Sequence, residues 1–342
     1  MEKIRIAVDA MGGDHAPREV VHGAVLAAKE WSDLEVLLVG APDAVEAELA
    51  RHGARLANIK IVPASEVIGM DEKPSRAILK KKDSSIVVAT KQVADGLADG
   101  IVAAGSTGAA AVAAQLGLGR ITNVDRSAIA CTMPSSGTNP TIMLDVGANV
   151  DCTPFQLLQF GLMGVIVCEA LFGTKNPKVA ILNIGTEETK GNELVQGAYR
   201  LFKENDQLNF TGFIEGRDFP MAKADVVVTD GFTGNVTLKT AEGIAKMIGL
   251  MLKQELHANV RTKIGGKIAE PAFDALKRRI DYSEFGGALL VGVKGVYVIA
   301  HGGSTHTAIK NAIRTAREMV VHKMVERIEA SLSKVAAGST AK

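Results

Sequence analysis

Short apolar runs recur along the chain. Most are followed within a few residues by a turn rich in glycine, serine or asparagine, and then by a helix-compatible stretch. Runs this short, without polar alternation, predict strands buried on both faces. They fall at residues 4–8, 34–40, 59–62, 101–104, 128–133, 141–144, 179–182, 210–213, 225–228 and 296–300. Helices are predicted over 17–28, from Pro42, over 85–96, from the 105–108 turn to 116, and over 194–202 and 236–252. A last helix runs from beyond Ser304 to about 328. Repeated strand, turn and helix predicts an α/β fold. The runs 128–133 and 141–144 flank a Ser/Gly/Asn/Pro turn and form either a hairpin or separate sheet positions.

Two stretches depart from this rhythm. Residues 154–172 are apolar nearly throughout, broken by Gln156, Gln159 and Glu169. The expectation is a buried core helix, with a subunit interface as a second place for it, and not a membrane span. Over 256–280, Leu256, Val260, Ile264 and Ile268 recur every four residues, with Lys263 and Lys267 beside them. Pro271 is expected to divide this stretch into two helices. It predicts either an amphipathic packing pair or a projecting surface that meets lipid, an acidic protein or another subunit. No linker separates the halves, so residues 1–330 are expected to form one interleaved unit that includes 256–280 as projecting helices. Residues 331–342 are expected to be a flexible tail.

Candidate chemistry sits at the predicted strand exits, where open α/β sheets place ligands. The stretch 178–201 is the focus. Its turn carries Thr186, Glu187, Glu188, Thr189, Lys190, Gly191 and Asn192, offering backbone N–H groups and one cation to an anion. Glu187 and Glu188, poor phosphate ligands themselves, are expected to orient Lys190 or water. Ser106, Thr107 and Gly108 form a second cradle, unless the hydroxyls only cap the helix. Asp9, Asp14 and His15 follow the first strand, Asp145 and Asn149 the strand at 141–144, Asp230 the strand at 225–228, and His301 the last. Lys73 and Arg76 belong to a charged segment that is either a solvated face or an anion-attracting rim. Asn235 is placed either to cap the helix from Val236 or to aim its amide at a reacting oxygen.

The 39 basic and 38 acidic residues nearly cancel, which gives no reason to expect a nucleic-acid partner. Aromatic residues are only 4%, which weakens any case for base stacking. Three scattered cysteines make no metal pattern and suggest a reducing compartment. The N-terminus opens on a strand-like run without a secretory apolar segment. No metal or cofactor is expected.

The ordered motifs carry a resemblance. VDAMGGDHAP at 8–17, AGSTGA at 104–109, LDVGAN at 144–149, NIGTEETKGN at 183–192, TDGFTGN at 229–235, EFGGALLVGVKG at 284–295 and AHGGS at 300–304 occur in sequence. Together the chain closely resembles the bacterial phosphate acyltransferases of phospholipid synthesis, the PlsX family. That resemblance implies a three-layer α/β/α sandwich similar to isocitrate and isopropylmalate dehydrogenases. It implies transfer of a long-chain acyl group from acyl carrier protein to inorganic phosphate, giving acyl phosphate. It also implies a cytoplasmic homodimer, peripherally associated with the inner face of the bacterial cell membrane, that hands its product to a membrane glycerol-3-phosphate acyltransferase. Catalytic roles then fall on Lys190 and Asn235. Substrate contacts fall on Asp9, Asp14, His15, Ser106, Thr107, Gly108, Asp145, Asn149, Asn192, Asp230 and His301, gathered in one pocket. Leu256, Val260, Ile264, Ile268, Lys263 and Lys267 become the membrane or acyl-handling surface.

Other readings are a phosphate acetyltransferase-like enzyme using acyl-coenzyme A, a dehydrogenase, and a non-enzymatic membrane or protein adaptor. The adaptor leaves the polar turns at the strand exits without a purpose.

Overall fold

The computed structural model describes residues 3–53, 56–280 and 285–340. The strands are β1 (Ile4–Asp9), β2 (Leu34–Gly40), β3 (Ile59–Pro63), β4 (Gly100–Ala103), β5 (Ala128–Met133), β6 (Thr141–Leu144), β7 (Lys178–Asn183), β8 (Asn209–Glu215), β9 (Val226–Val228), β10 (Ala288–Val291) and β11 (Val296–Ile299). They form one sheet in the order β3-β2-β1-β4-β11-β10-β5-β6-β9-β7-β8. The helices are α1 (Arg18–Glu30), α2 (Pro42–Arg51), α3 (Pro74–Lys80), α4 (Ser85–Ala94), α5 (Thr107–Gly117), α6 (Pro154–Phe172), α7 (Glu193–Lys203), α8 (Gly231–His257), α9 (Val260–Ile280), α10 (His306–Val321) and α11 (Met324–Thr340).

Alternating residues of each strand feed opposite layers. Ile6, Val8, Val36 and Leu38 join α1, α6 and α10 in one apolar cluster. Ala7, Leu37, Val39 and Ile101 join α4 and α5 in the other. The architecture is therefore a mixed α/β sheet with helices on both faces. The residues 128–133 and 141–144 pair antiparallel, Cys131 opposite Met143, so β5 and β6 are a hairpin.

Strand direction reverses in the middle of the sheet. β3, β2, β1, β4 and β11 run parallel. β10 is antiparallel to both β11 and β5. β5 is antiparallel to β6, and β6, β9, β7 and β8 are parallel to one another. The C-terminal ends of the two parallel halves therefore emerge at opposite edges of the sheet.

The apolar helix α6 is the one helix among the described residues long and apolar enough to cross a membrane, and 67% of that span is buried within the chain. Thr153 and Gln156 form a reciprocal capping box at its start, and Gly173, in the left-handed conformation, ends it.

Three expectations need correction. The helix expected from Val236 begins at Gly231, one turn earlier, because Asp230 supplies the cap. Pro271 lies within α9, and the break falls instead at Ala258 and Asn259. The stretch after Ser304 is two helices parted at His322 and Lys323. The second continues to Thr340 with Leu332 buried, so residues 331–340 are not a loose tail. Residues 281–284, including Tyr282 and Glu284, and residues 341–342 lie outside the described residues.

Candidate active site

Half of the candidate residues collect where β1, β4 and β11 end. The loop after β1 lies against the other two exits. Asp14 N donates to Gly302 O at 2.8 Å. A side chain at Gly12 would meet the Asp9 carboxylate at 2.7 Å and Gly105 N at 3.1 Å, so this crossing admits only glycine there. Asp9 is buried, and burial raises its pKa against hydrogen bonds from Ser85, Met11 and Gly12. Ser106 caps α5, accepting from Ala109 N at 3.4 Å. Asp14, His15, Thr107, Gly108 and His301 are exposed. His301 Nδ1 accepts from Gly303 N at 3.0 Å. Pro74 approaches Gly108, which brings the charged segment around Lys73 and Arg76 to this edge.

The other half collects where β6, β7 and β9 end. Asp145, fully buried, is its hub. One carboxylate oxygen accepts from Ile129 N, Gly147 N and Ala148 N at 3.0–3.1 Å. The other accepts from Asn149 N at 2.7 Å and Asn149 Nδ2 at 2.9 Å. Asn149 also donates to Ser127 O. A Cβ at Gly234 would stand 1.9 Å from Asp145 O, so α8 can begin against this loop only with glycine at that place. Asn235 Nδ2 donates to Val146 O at 3.1 Å. Asn235 thus holds the 145–149 loop from inside α8, and the cap belongs to Asp230, which accepts from Thr233 N and Oγ1 at 2.8 Å. Asn192 likewise caps α7, accepting from Val195 N at 3.0 Å.

Lys190 is treated differently from its neighbours. Its backbone is pinned: its N–H donates to Glu187 O at 3.0 Å, and its carbonyl accepts from Asn183 Nδ2 at 3.1 Å and from Gln196 Nε2. Its side chain is exposed and makes no hydrogen bond or ion pair among the described residues. Gly191 follows at φ +101°, with Asn183 Oδ1 2.6 Å from where a Cβ would lie. Glu188 does not orient this lysine. It accepts from Tyr199 OH and pairs with Lys203 at 3.3 Å, both on α7, and these contacts lower its pKa. Asn183 and Gln196, which hold the turn, were not singled out from sequence. The position of Asn183 at the end of a strand was the only signal for it.

A half-open cavity of about 360 Å³ borders this turn. Leu157, Ile181, Leu182, Ile184, Leu194 and Val195 give it apolar walls, with Asn183, Gly191, Asn192, Asp230 and Thr233 along one side. Nucleophilic sulfur is not at hand: burial pushes the thiols of Cys131 and Cys168 up to about 12 and that of Cys152 up to about 11. Among the described residues no cluster of three His, Cys, Asp or Glu side chains could hold a metal ion.

One chain does not unite the two sets. Asp9, Asp14, His15, Ser106, Thr107, Gly108 and His301 occupy one edge. Asp145, Asn149, Lys190, Asn192, Asp230 and Asn235 occupy the other. Strands of this length set the two edges roughly 10–20 Å apart along the strand direction, and β10 and β5 lie between the two sets across the sheet. The residues expected in a single pocket therefore form two separate clusters within one chain. On the arm, Val260, Ile264 and Ile268 are 72%, 59% and 77% exposed, whereas Leu256 turns inward against Gly266.

Comparison with known proteins gives this geometry a family. The fatty acid synthesis protein family model matches residues 4–327. A phosphate acyltransferase of Heliobacterium modesticaldum is 52% identical over 328 residues, covering 95% of this chain and 97% of that one. The chain belongs to the phosphate acyltransferase family. A second member, from Pelotomaculum thermopropionicum, is 49% identical over 97% of this chain and 96% of its own. Among solved structures, a phosphotransacetylase from Streptococcus pyogenes superposes with a TM-score of 0.61 at 17% identity, covering 93% of this chain and 94% of that one. A branched-chain phosphotransacylase from Enterococcus faecalis reaches 0.56, also at 17% identity, covering 93% and 99%. At such identity the two structures speak for the fold of the family alone.

Proposed function

We infer that this chain transfers a long-chain acyl group from acyl carrier protein to inorganic phosphate, releasing acyl phosphate and free carrier protein, as a step of phospholipid synthesis. The observation that carries the reading is Lys190, in a phosphate acyltransferase family member. Among the described residues its ammonium makes no hydrogen bond or ion pair, and its backbone is pinned next to Gly191 and Asn192, which line the cavity. No cysteine among the described residues lines the cavity, and in this reading phosphate itself is the nucleophile. A phosphate oxygen attacks the thioester carbonyl, the carbonyl π electrons move to oxygen, and collapse of the tetrahedral adduct breaks the carbon–sulfur bond and expels the carrier's thiolate, which takes up the proton that phosphate loses. Lys190 offsets charge on phosphate and on the developing oxyanion, in the manner of a preorganised donor. Asn235 and Asp145 hold the 145–149 loop on the same edge of the sheet.

The opposed strand polarity supports a homodimer as the working unit. A two-fold pair can set the Asp14 and Ser106 edge of one chain against the Lys190 edge of the other, completing two equivalent sites. The same reversal is in keeping with an isocitrate or isopropylmalate dehydrogenase-like fold. Val260, Ile264 and Ile268, flanked by Lys263 and Lys267, suit peripheral contact with the inner face of the membrane, where a glycerol-3-phosphate acyltransferase would take the product. Replacing Ile264 and Ile268 by aspartate should abolish co-flotation with anionic vesicles. Undiminished flotation would remove the arm from this role.

The deciding experiment mixes the purified protein, phosphate and hexadecanoyl acyl carrier protein, and identifies products by mass spectrometry. Acyl phosphate is the expected product. Its absence, or faster formation from hexadecanoyl-coenzyme A, would transfer the reading to a phosphate acetyltransferase-like enzyme or to an adaptor.

A further inference from the structure

The cavity beside Lys190 has a lining that the transfer chemistry does not use. Four of its polar side chains, Asn183, Asn192, Asp230 and Thr233, are hydrogen-bonded inside the protein, and Thr229 also lines it. Asn183 Nδ2 donates to Lys190 O, Asn192 Oδ1 accepts from Val195 N, and both Asp230 oxygens accept from Thr233. The remaining walls are aliphatic: Leu157 and Ile181 at the base are buried, and Ile184 at the rim is 82% exposed. Such a lining offers apolar contact and few open hydrogen-bonding positions. Its volume, about 360 Å³, is at the small end of ligand pockets.

Exposed apolar side chains lie on the neighbouring helix. Phe232, next in sequence to the cavity's Thr233, is 62% exposed, and Val236, one turn on, is 51% exposed. After Lys239 and Thr240, which are also exposed, a second apolar group follows on the same helix, with Ile244, Met247, Ile248 and Met251 each about half exposed. Two such groups give a flexible hydrocarbon apolar surface to rest on when the cavity holds only part of it.

We propose that the cavity between α6, α7 and the start of α8 is the acyl-chain subsite. It takes the methylenes nearest the thioester, while the distal chain leaves past Ile184 onto α8. The proposal rests on the acyl-transfer reading above and adds where the hydrocarbon lies. Lys190, whose neighbours Gly191 and Asn192 line the cavity, then meets the carbonyl at its mouth. Chain-length preference becomes a property of the cavity walls and rim, separate from the cation that serves the reacting atoms.

Gly216 allows a direct test. It lines the cavity, has no left-handed φ, and a Cβ added there meets nothing within 4 Å. Gly216→Leu should therefore fill the cavity without straining the backbone. The measurement is kcat/KM for hexadecanoyl and acetyl acyl carrier protein at saturating phosphate, the acetyl donor having no methylenes to place in the cavity. Gly216→Leu should lower the long-chain value about tenfold, the equivalent of withdrawing roughly two methylenes from apolar contact, and leave the acetyl value within about twofold. Ile184→Asp, at a side chain too exposed to matter for folding, should lower the long-to-short ratio in the same direction.

If both folded variants keep the wild-type ratio, the subsite assignment falls and the transfer reading stands. If Gly216→Leu slows both donors equally, the cavity receives the carrier's pantetheine arm, and the assignment again falls. If the wild-type protein makes no acyl phosphate from either donor, the transfer reading itself fails.

Discussion

The two edges of the sheet are built from the same parts, strand, polar turn and helix start, yet they are finished differently. Where β1, β4 and β11 end, backbones cross closely through Gly12, Gly13 and Gly302, and the buried carboxylate, Asp9, is satisfied by few donors. Where β6, β7 and β9 end, Asp145 accepts five hydrogen bonds and braces the loop against which α8 starts, on the edge that also carries the cavity and the exposed Lys190. The contrast teaches that a carboxylate at a strand exit is no guide to its task. Both are internal struts, and the groups left to meet a ligand are the exposed ones beside them.

The comparison can be broken by removing one charge at a time. Asp145→Asn turns an acceptor into a donor among five fixed N–H groups and should cost about 3–5 kcal/mol in urea unfolding, whereas Asp9→Asn should cost about 1. Equal losses would erase the distinction between the two struts.

Next in size is Lys190→Ala, which should reduce turnover on the order of 10²–10³ with little change in Tm, since the side chain supports no other group. Asp14→Ala should also be impaired, on the opposite edge. If the edges meet across a dimer, refolding equal amounts of the two variants together should restore roughly a quarter of wild-type activity, because half the dimers are mixed and each mixed dimer holds one intact site. No recovery in demonstrably mixed dimers would confine catalysis to one edge.

A smaller effect tests the outer support of the first edge. His22 is stacked between His52 at 4.3 Å and His306 at 4.1 Å, and Glu19 binds His306 Nδ1 at 2.8 Å. Burial lowers the His22 pKa below 6.5, helped by His306 and His52, against the pull of Glu19, with Arg18 adding to the lowering. The unfolded chain then binds the proton that the folded one refuses, so stability falls as pH drops below about 6.5 toward the lowered value. Tm measured from about pH 7.5 to 5.5 should decline in the wild type and decline less in His22→Asn. Parallel curves would exclude His22 as the source.

Smallest of all, Ser106→Ala should cost about 0.5–1 kcal/mol, the value of a lone N-cap. It should leave the second edge unaffected.

The sequence located nearly every strand, because most are short apolar runs buried on both faces, and such burial marks itself locally; the edge strands β3 and β8 are partly open. Helix starts were less legible. Asp230 and Asn235 are both good caps, and only the crowding of Gly231 and Gly234 against the 145–149 loop decides between them. Pro271 read as a break because its own peptide lacks a donor, yet α9 continues through it on an exposed arm. Residues 331–340 read as a tail because they are small and polar, and Leu332 shows that a neighbouring helix gives them somewhere to pack.

By itself the sequence determined the alternation of strands and helices, the order of the polar turns and the family, all of which rest on residues close together in the chain. Only the tertiary structure decided which turns share an edge. That outcome depends on strand direction, set where β10 and β5 pair antiparallel across more than 150 residues of intervening chain. No local pattern of side chains encodes the direction of a distant partner, so the split of one expected pocket into two clusters became visible only in the folded sheet.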